Sequence, residues 1–173
     1  LNEARLFLRE FIKERDFKSA TSFLVNEPGL SEQILQLTEQ KAEYPFAEHA
    51  SWLWIHLAKE KPQFAQPFYA RLLDILFETK NESVLRNILN ALSQLELEEY
   101  RESEFVDLLF GFLLNKTHKV ALHVYSIYFL LRFVRKYPEF KGELQQCVDI
   151  LMENPTPALT VAARNMKKEL SAI

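Results

Sequence analysis

The sequence predicts an all-α protein, an α-α superhelix of antiparallel helix pairs, and three observations lead there. Apolar residues recur at three- and four-residue spacing along nearly the whole chain. Only three glycines, Gly29, Gly111 and Gly142, occur in 173 residues. Glycine-rich phosphate loops and Asn-Gly hairpins are therefore missing, and few positions are free to take positive φ. A short string also returns at a regular interval in the second helix of each pair.

Each element has its own signal. The first helix shows Ala4, Phe7, Leu8, Phe11 and Ile12. Asp16 is placed to cap a second helix bearing Phe17, Ala20, Phe23 and Leu24. Asn26-Glu27-Pro28-Gly29 breaks it, and Ser31 is placed to cap a third with Ile34, Leu35 and Leu37. From residue 45 the pattern tightens, with Phe46, Ala50, Leu53, Trp54 and Leu57 on one helix. Pro62 opens the next at a first-turn position, where its missing N–H costs nothing, and Phe64, Phe68, Leu72, Ile75 and Leu76 follow. Asn81 caps a helix with Leu85, Ile88, Leu92 and Leu95, and Glu102 to Leu114 forms its partner. Thr117 is expected to cap a long helix from His118 to Lys136, apolar nearly all round and so central. Pro138 opens a helix with Phe140, Leu144, Cys147, Val148 and Leu151. Thr156-Pro157 opens the last, with Leu159, Ala162, Ala163, Met166 and Leu170.

The recurring string reads Leu72-Leu73-Asp74-Ile75-Leu76-Phe77-Glu78, then Phe105-Val106-Asp107-Leu108-Leu109-Phe110-Gly111, then Cys147-Val148-Asp149-Ile150-Leu151-Met152-Glu153. The first helices superpose as well. Ala50, Leu53, Trp54 and Leu57 map onto Ile88, Ala91, Leu92 and Leu95, and again onto Val124, Ile127, Tyr128 and Leu131. A two-helix period of about 37 residues resembles the HEAT and armadillo-like repeats. The resemblance covers roughly residues 45–170. It implies one domain over 1–173, with capping helices over 1–44, helix-pair repeats over 45–80, 81–116 and 117–155, and a capping helix over 156–173. Each pair alone cannot bury its apolar face, and stacking of neighbours completes the core.

Composition narrows the function. Cys147 is the only cysteine, which leaves no intrachain disulfide framework and no cysteine-based zinc cluster. The longest apolar tract, Val120 to Leu131, falls short of the ~20 residues a membrane span needs. A soluble, cytoplasmic protein without a membrane role is expected. Net charge is −3, yet residues 108–173 hold nine basic and five acidic side chains. No acid lies between Asp107 and Glu139.

No residue constellation announces catalysis. The Gly-x-Ser-x-Gly elbow, the Walker loop and the His-Glu-x-x-His zinc helix are all absent. His49 and His56 lie two turns apart, and His118 and His123 are not stacked on one face. These histidines read as structural or solvated, and neither a metal nor a cofactor is expected.

Three sets of residues are candidates for binding. The first is a stripe beside the core set of the first helices: His49, Trp52 and His56, then Asn87, Asn90 and Gln94, then His123 with Ser126 and Leu130, and Asn165 on the last helix. Trp52 lies ~200° of turn from the core residue Trp54 and is the expected exposed anchor. The alternative is that this stripe packs on neighbouring repeats or simply faces water. The second set is an acidic ladder of Asp74, Asp107 and Asp149, expected exposed at the repeat pitch, which could dock a basic partner or bond neighbouring groups. The third is basic: Lys116, Lys119, Arg132, Arg135, Lys136, Arg164, Lys167 and Lys168, joined by Lys141 and interleaved with Tyr125, Tyr128 and Tyr137.

A non-enzymatic scaffold for a protein or peptide partner is the expected function. The alternative is nucleic-acid binding through the basic third, because HEAT-like proteins include the DNA alkylation-repair glycosylases. Phosphate contacts by Lys and Arg would supply such affinity. None of those enzymes' catalytic residues can be placed on a motif here, and a pI near 5.9 opposes the reading.

Overall fold

The computed structural model describes residues 1–173, and every regular element in it is a helix. In order these are α1 (Asn2–Glu14), α2 (Phe17–Asn26), α3 (Pro28–Glu39), α4 (Phe46–Glu60), the single turn α5 (Pro62–Ala65), α6 (Tyr69–Glu78) and α7 (Glu82–Ser93). Then follow α8 (Glu102–Leu114), α9 (Val120–Lys136), α10 (Lys141–Leu151) and α11 (Pro157–Leu170). Short 3₁₀ turns at Gln66–Phe68 and Pro138–Phe140 lead into α6 and α10. None of the helices is long and apolar enough to cross a membrane.

The chain folds as two compact units, Leu1–Glu98 and Glu99–Ile173. In the first, α4 is the hub, packed by α3 and α7 and touched by α1 and α2. Its Ala50, Leu53, Trp54 and Leu57 have no exposed surface. The Trp54 ring meets Phe68 at a centroid distance of 4.9 Å. In the second unit α9 is the hub, packed by α8 and α11, with Phe129 and Phe133 against Phe105 of α8. Burial of such large side chains supplies about 1.5–3 kcal/mol each.

Local chemistry sets the helix ends. The Asp16 carboxylate accepts from the Ser19 N–H at 3.1 Å, and Asn81 Oδ1 accepts from the Ser83 N–H at 3.0 Å. Thr156 Oγ1 accepts from the Leu159 N–H at 3.3 Å. Two expected caps are corrected. Ser31 lies inside α3, its hydroxyl donating to the Leu24 carbonyl at 2.8 Å, because Pro28 already starts that helix. Thr117 Oγ1 donates to Asn115 Oδ1, and Lys119 is the residue that precedes α9. The few left-handed residues are Arg15, Lys41 and Arg101, at φ 53°, 52° and 48°, and none is glycine. Arg15 closes α1 with its N–H on the Phe11 carbonyl, one of the carbonyls a helix end leaves open.

The register of α9 is also corrected. Val124 and Tyr128 were expected in its core set, yet both are only half-buried. Ile127 and Leu131 of that set are buried, and so are His123, Ser126 and Leu130. His123, Ser126, Ile127 and Leu130 match Ile88, Ala91, Leu92 and Leu95 after a step of 35 residues, one fewer than the sequence pattern suggested. Both faces of α9 are rich in apolar side chains, so periodicity alone does not separate the two registers.

Candidate functional site

Interactions between side chains far apart in sequence recur at the repeat period. In the first unit Arg5 meets Glu43, 38 residues on, and Asn87 of α7 donates to Ser51 Oγ of α4, 36 residues back, at 3.1 Å. Arg71 of α6 makes four hydrogen bonds at 2.7–2.8 Å to Glu32 and Glu39 of α3, 39 and 32 residues away. In the second unit Lys136 meets Glu102 at 2.7 Å across 34 residues, and Asn165 Nδ2 donates to Tyr128 Oη at 3.0 Å across 37. These links fasten each helix pair to the preceding one.

This arrangement decides the fate of the polar stripe. Asn87 is 5% exposed and is held by Ser51 Oγ and, at 3.4 Å, by the Glu48 carbonyl. His123 is 4% exposed, with Nε2 2.9 Å from the Asn115 carbonyl, and Ser126 bonds the Leu122 carbonyl. Asn87 and His123 are thus corrected from partner-facing to interior residues. The expected exposed anchor Trp52 is corrected too. Its ring packs edge-on against Phe17 at 4.9 Å and near Phe11 at 6.0 Å, covered by α1 and α2. His56 stacks on Phe17 at 3.7 Å, and its Nε2 is buried without a partner. Burial lowers the pKa of His56 from the ordinary imidazole value, and burial does the same to His49.

The rest of the stripe is dispersed. Asn90 is half-buried and accepts a long 3.4 Å contact from exposed Gln94. Gln94 lines a groove of about 620 Å³ with Gln63, Gln66, Glu96 and Glu98. Within that groove the Gln66 amide pairs with both the N–H and the carbonyl of Glu96, at 3.0 and 3.1 Å. Asn165 stays on the surface beside Tyr128. His49 lines another groove, described below. Of the acidic ladder, Asp107 and Asp149 are exposed and Asp74 is half-buried. Lys167 Nζ lies 3.8 Å from Asp149.

Four of the nine cations of the C-terminal third meet acids. Lys116 pairs with Glu153, Arg135 with Glu169, Lys136 with Glu102 and Lys167 with Asp149. Tyr137 Oη also donates to Glu102 at 2.7 Å. The Lys136 ammonium, foremost, and then the Tyr137 hydroxyl hold the Glu102 carboxyl below its usual range. Arg132 lies 4.9 Å from the Phe129 ring centre, and Lys119 and Lys141 stand on other turns. Arg164 and Lys168, one turn apart on α11, are both exposed. No cluster of three or more His, Cys, Asp or Glu side chains converges as a metal site would require.

A groove that the residue patterns did not single out lies between the outer face of α1 and the start of α4. Leu6, Arg9, Tyr44, Pro45, Phe46 and His49 are among its walls. Leu6 sits off the buried Ala4–Leu8–Phe11 stripe. Tyr44 precedes α4 in a loop, beside a cis peptide bond to Pro45. The available signal was one apolar residue out of phase with its helix, and an aromatic residue outside any helix.

A family model described as a HEAT repeat domain matches residues 4–170. Repeats of this kind generally imply a binding scaffold. No curated protein and no solved structure matches the chain.

Proposed function

Because the chain belongs to the HEAT repeat family, we propose that it is a non-enzymatic scaffold whose helix-pair surface binds a protein or peptide partner. The observation that carries this reading is the distribution of charge in the second unit. Lys116, Arg135, Lys136 and Lys167 each meet a carboxylate, while uncharged amphipathic side chains such as Tyr128 and Asn165 remain at the surface. Nucleic-acid affinity depends on cations free to displace counterions from phosphates. Cations already neutralised by glutamate and aspartate contribute little of that term. Protein recognition favours tyrosine, arginine and hydrogen-bonding side chains on rigid elements, and α9 and α11 present these.

Arg164 and Lys168 are the feature that favours the nucleic-acid alternative, and they provide the discriminating test. The whole chain is offered duplex DNA and single-stranded RNA across a salt series, and in parallel a displayed library of short peptides. The scaffold reading expects enriched peptides and no salt-steep binding of nucleic acid. Nucleic-acid binding lost in Arg164→Glu/Lys168→Glu, with no peptide enriched, would overturn it.

A further inference from the structure

Tyr44 and Leu6 are the two most exposed large hydrophobic side chains of the chain, at 82% and 61%. Both line one groove of about 600 Å³ between α1 and α4. Single exposed apolar residues are ordinary on a protein surface and need no account. Two on one concavity form an apolar patch, and Tyr44 and Arg9 beside each other are the residue types that interface hot spots favour.

Charge in this groove is unbalanced. Arg5 is engaged by Glu43 at 3.1 Å, and Lys13 by Glu10 at 2.9 Å. Arg9 makes no direct ion pair, although Glu43 lies near enough to feel its charge and Glu10 lines the same groove; its guanidinium lies 5.4 Å from the centre of the Phe46 ring. A planar cation resting on an aromatic face keeps its N–H groups available and is partly desolvated, which strengthens its attraction for a carboxylate. His49 stands at the same wall. Burial keeps its imidazole neutral near pH 7, when it can donate one hydrogen bond and accept another.

Building on the scaffold reading above, we propose that this groove docks a segment of a protein partner presenting a large apolar side chain beside an aspartate or glutamate. The apolar side chain lies against Leu6 and Tyr44, and the carboxylate meets Arg9. A nucleic acid fits this groove poorly, because its walls are mainly apolar and one of its two cations, Lys13, is already paired. The volume suits one or two side chains rather than a whole helix, and extended peptide is the form that presents them singly.

The test pans the whole chain against a phage-displayed library of short random peptides. Binding of the enriched peptides is then measured by fluorescence anisotropy to the wild type, Arg9→Glu, Tyr44→Ser and Leu6→Ser, with circular dichroism reporting the fold of each. Enriched peptides should share a bulky apolar residue beside an acid. Tyr44→Ser should weaken them about tenfold. Arg9→Glu should weaken them at least as much, and exchanging the peptide's acid for lysine should restore binding to that variant. Should Leu6→Ser unfold α1, the exposed Arg9 and Tyr44 variants still decide the matter.

Peptides that bind the groove variants as tightly as the wild type overturn this assignment and leave the scaffold reading standing. Peptides that need Tyr44 yet show no acid preference overturn the partner's chemistry. A concentration-dependent dimer in sedimentation, dispersed by Arg9→Glu, would make a second copy of the chain the occupant and overturn the partner. No enrichment, together with nucleic-acid binding through Arg164 and Lys168, is the failure of the scaffold reading itself.

Discussion

Arg71 of α6 holds Glu39 of α3 through two parallel hydrogen bonds, Nε to Oε1 at 2.7 Å and Nη2 to Oε2 at 2.8 Å. The same guanidinium takes Glu32 through Nη1 and Nη2, both at 2.7 Å. One planar cation thus fastens two carboxylates seven residues apart on a single helix face, a geometry that lysine cannot reproduce. The three side chains are 37%, 38% and 29% exposed, so solvent screens the attraction. Arg71→Met should therefore cost about 1–2 kcal/mol in urea unfolding, and Arg71→Lys should recover less than half. The Arg71 guanidinium holds the Glu32 carboxyl below its ordinary value. A depressed carboxylate adds stability above its unfolded pKa of about 4.3, and that stability is lost as pH falls through the folded value. The Arg71→Met penalty should accordingly shrink in acid.

Asn87 and Ser51 give a second test. Asn87→Ala leaves the Ser51 hydroxyl and the Glu48 carbonyl without this donor between α7 and α4. A loss of about 1–3 kcal/mol is expected. Ser51→Ala should cost a similar amount, because the Ser51 hydroxyl accepts from Asn87 and also donates to the Glu48 carbonyl at 2.9 Å, and both bonds are lost. A double-mutant cycle should show coupling of about 1 kcal/mol. Additive losses would mean that the bond is not made in solution.

His56 should make the stability of the first unit pH-dependent near neutrality. Its pKa is lowered by burial, with the nearby Lys59 lowering it further and Glu60 raising it. Between its unfolded value of about 6.5 and the lower folded value, the unfolded chain binds the proton that the folded chain resists. Stability is therefore full above about pH 6.5 and falls on acidification. His56→Phe keeps the stack on Phe17 and removes the titration. Chemical denaturation from pH 7 to 5 should then show a shallower slope, with the remainder due to His49.

Trp54→Ala removes the largest fully buried side chain of α4. With its ring against Phe68 and no exposed surface, the expected cost is about 3–5 kcal/mol. The Trp54 indole N–H is buried without a partner. Trp54→Phe should accordingly cost much less, since only apolar volume is lost. Thermal unfolding of the two variants checks the contrast.

The helix pairs were legible in the sequence because burial imposes a period on each helix. Ala50, Leu53, Trp54 and Leu57 report it plainly, and Glu102–Leu114 is predicted to the residue. Where polar side chains enter the interior, the same logic misleads. Asn87, His123 and Ser126 look like a surface stripe until their partners are known, and those partners lie 36, eight and four residues away respectively. Trp52 was misassigned for a related reason. Its position opposite Trp54 is real, but α1 and α2 fold over it with Phe11 and Phe17. The groove at Leu6 and Tyr44 went unread because it joins a helix to a loop 38 residues further on, and no single-helix periodicity spans both.

The links at the repeat period also bear on how the molecule comes into being. Arg5 finds Glu43, Arg71 finds Glu39 and Lys136 finds Glu102, each 32–38 residues along the chain. No such side chain waits for a distant terminus to be made. During synthesis each new helix meets the one it fastens to soon after both have left the ribosome, so the loops to be closed stay short. Translation can thus lay the protein down one repeat at a time, each new helix covering the apolar face left open by those before it.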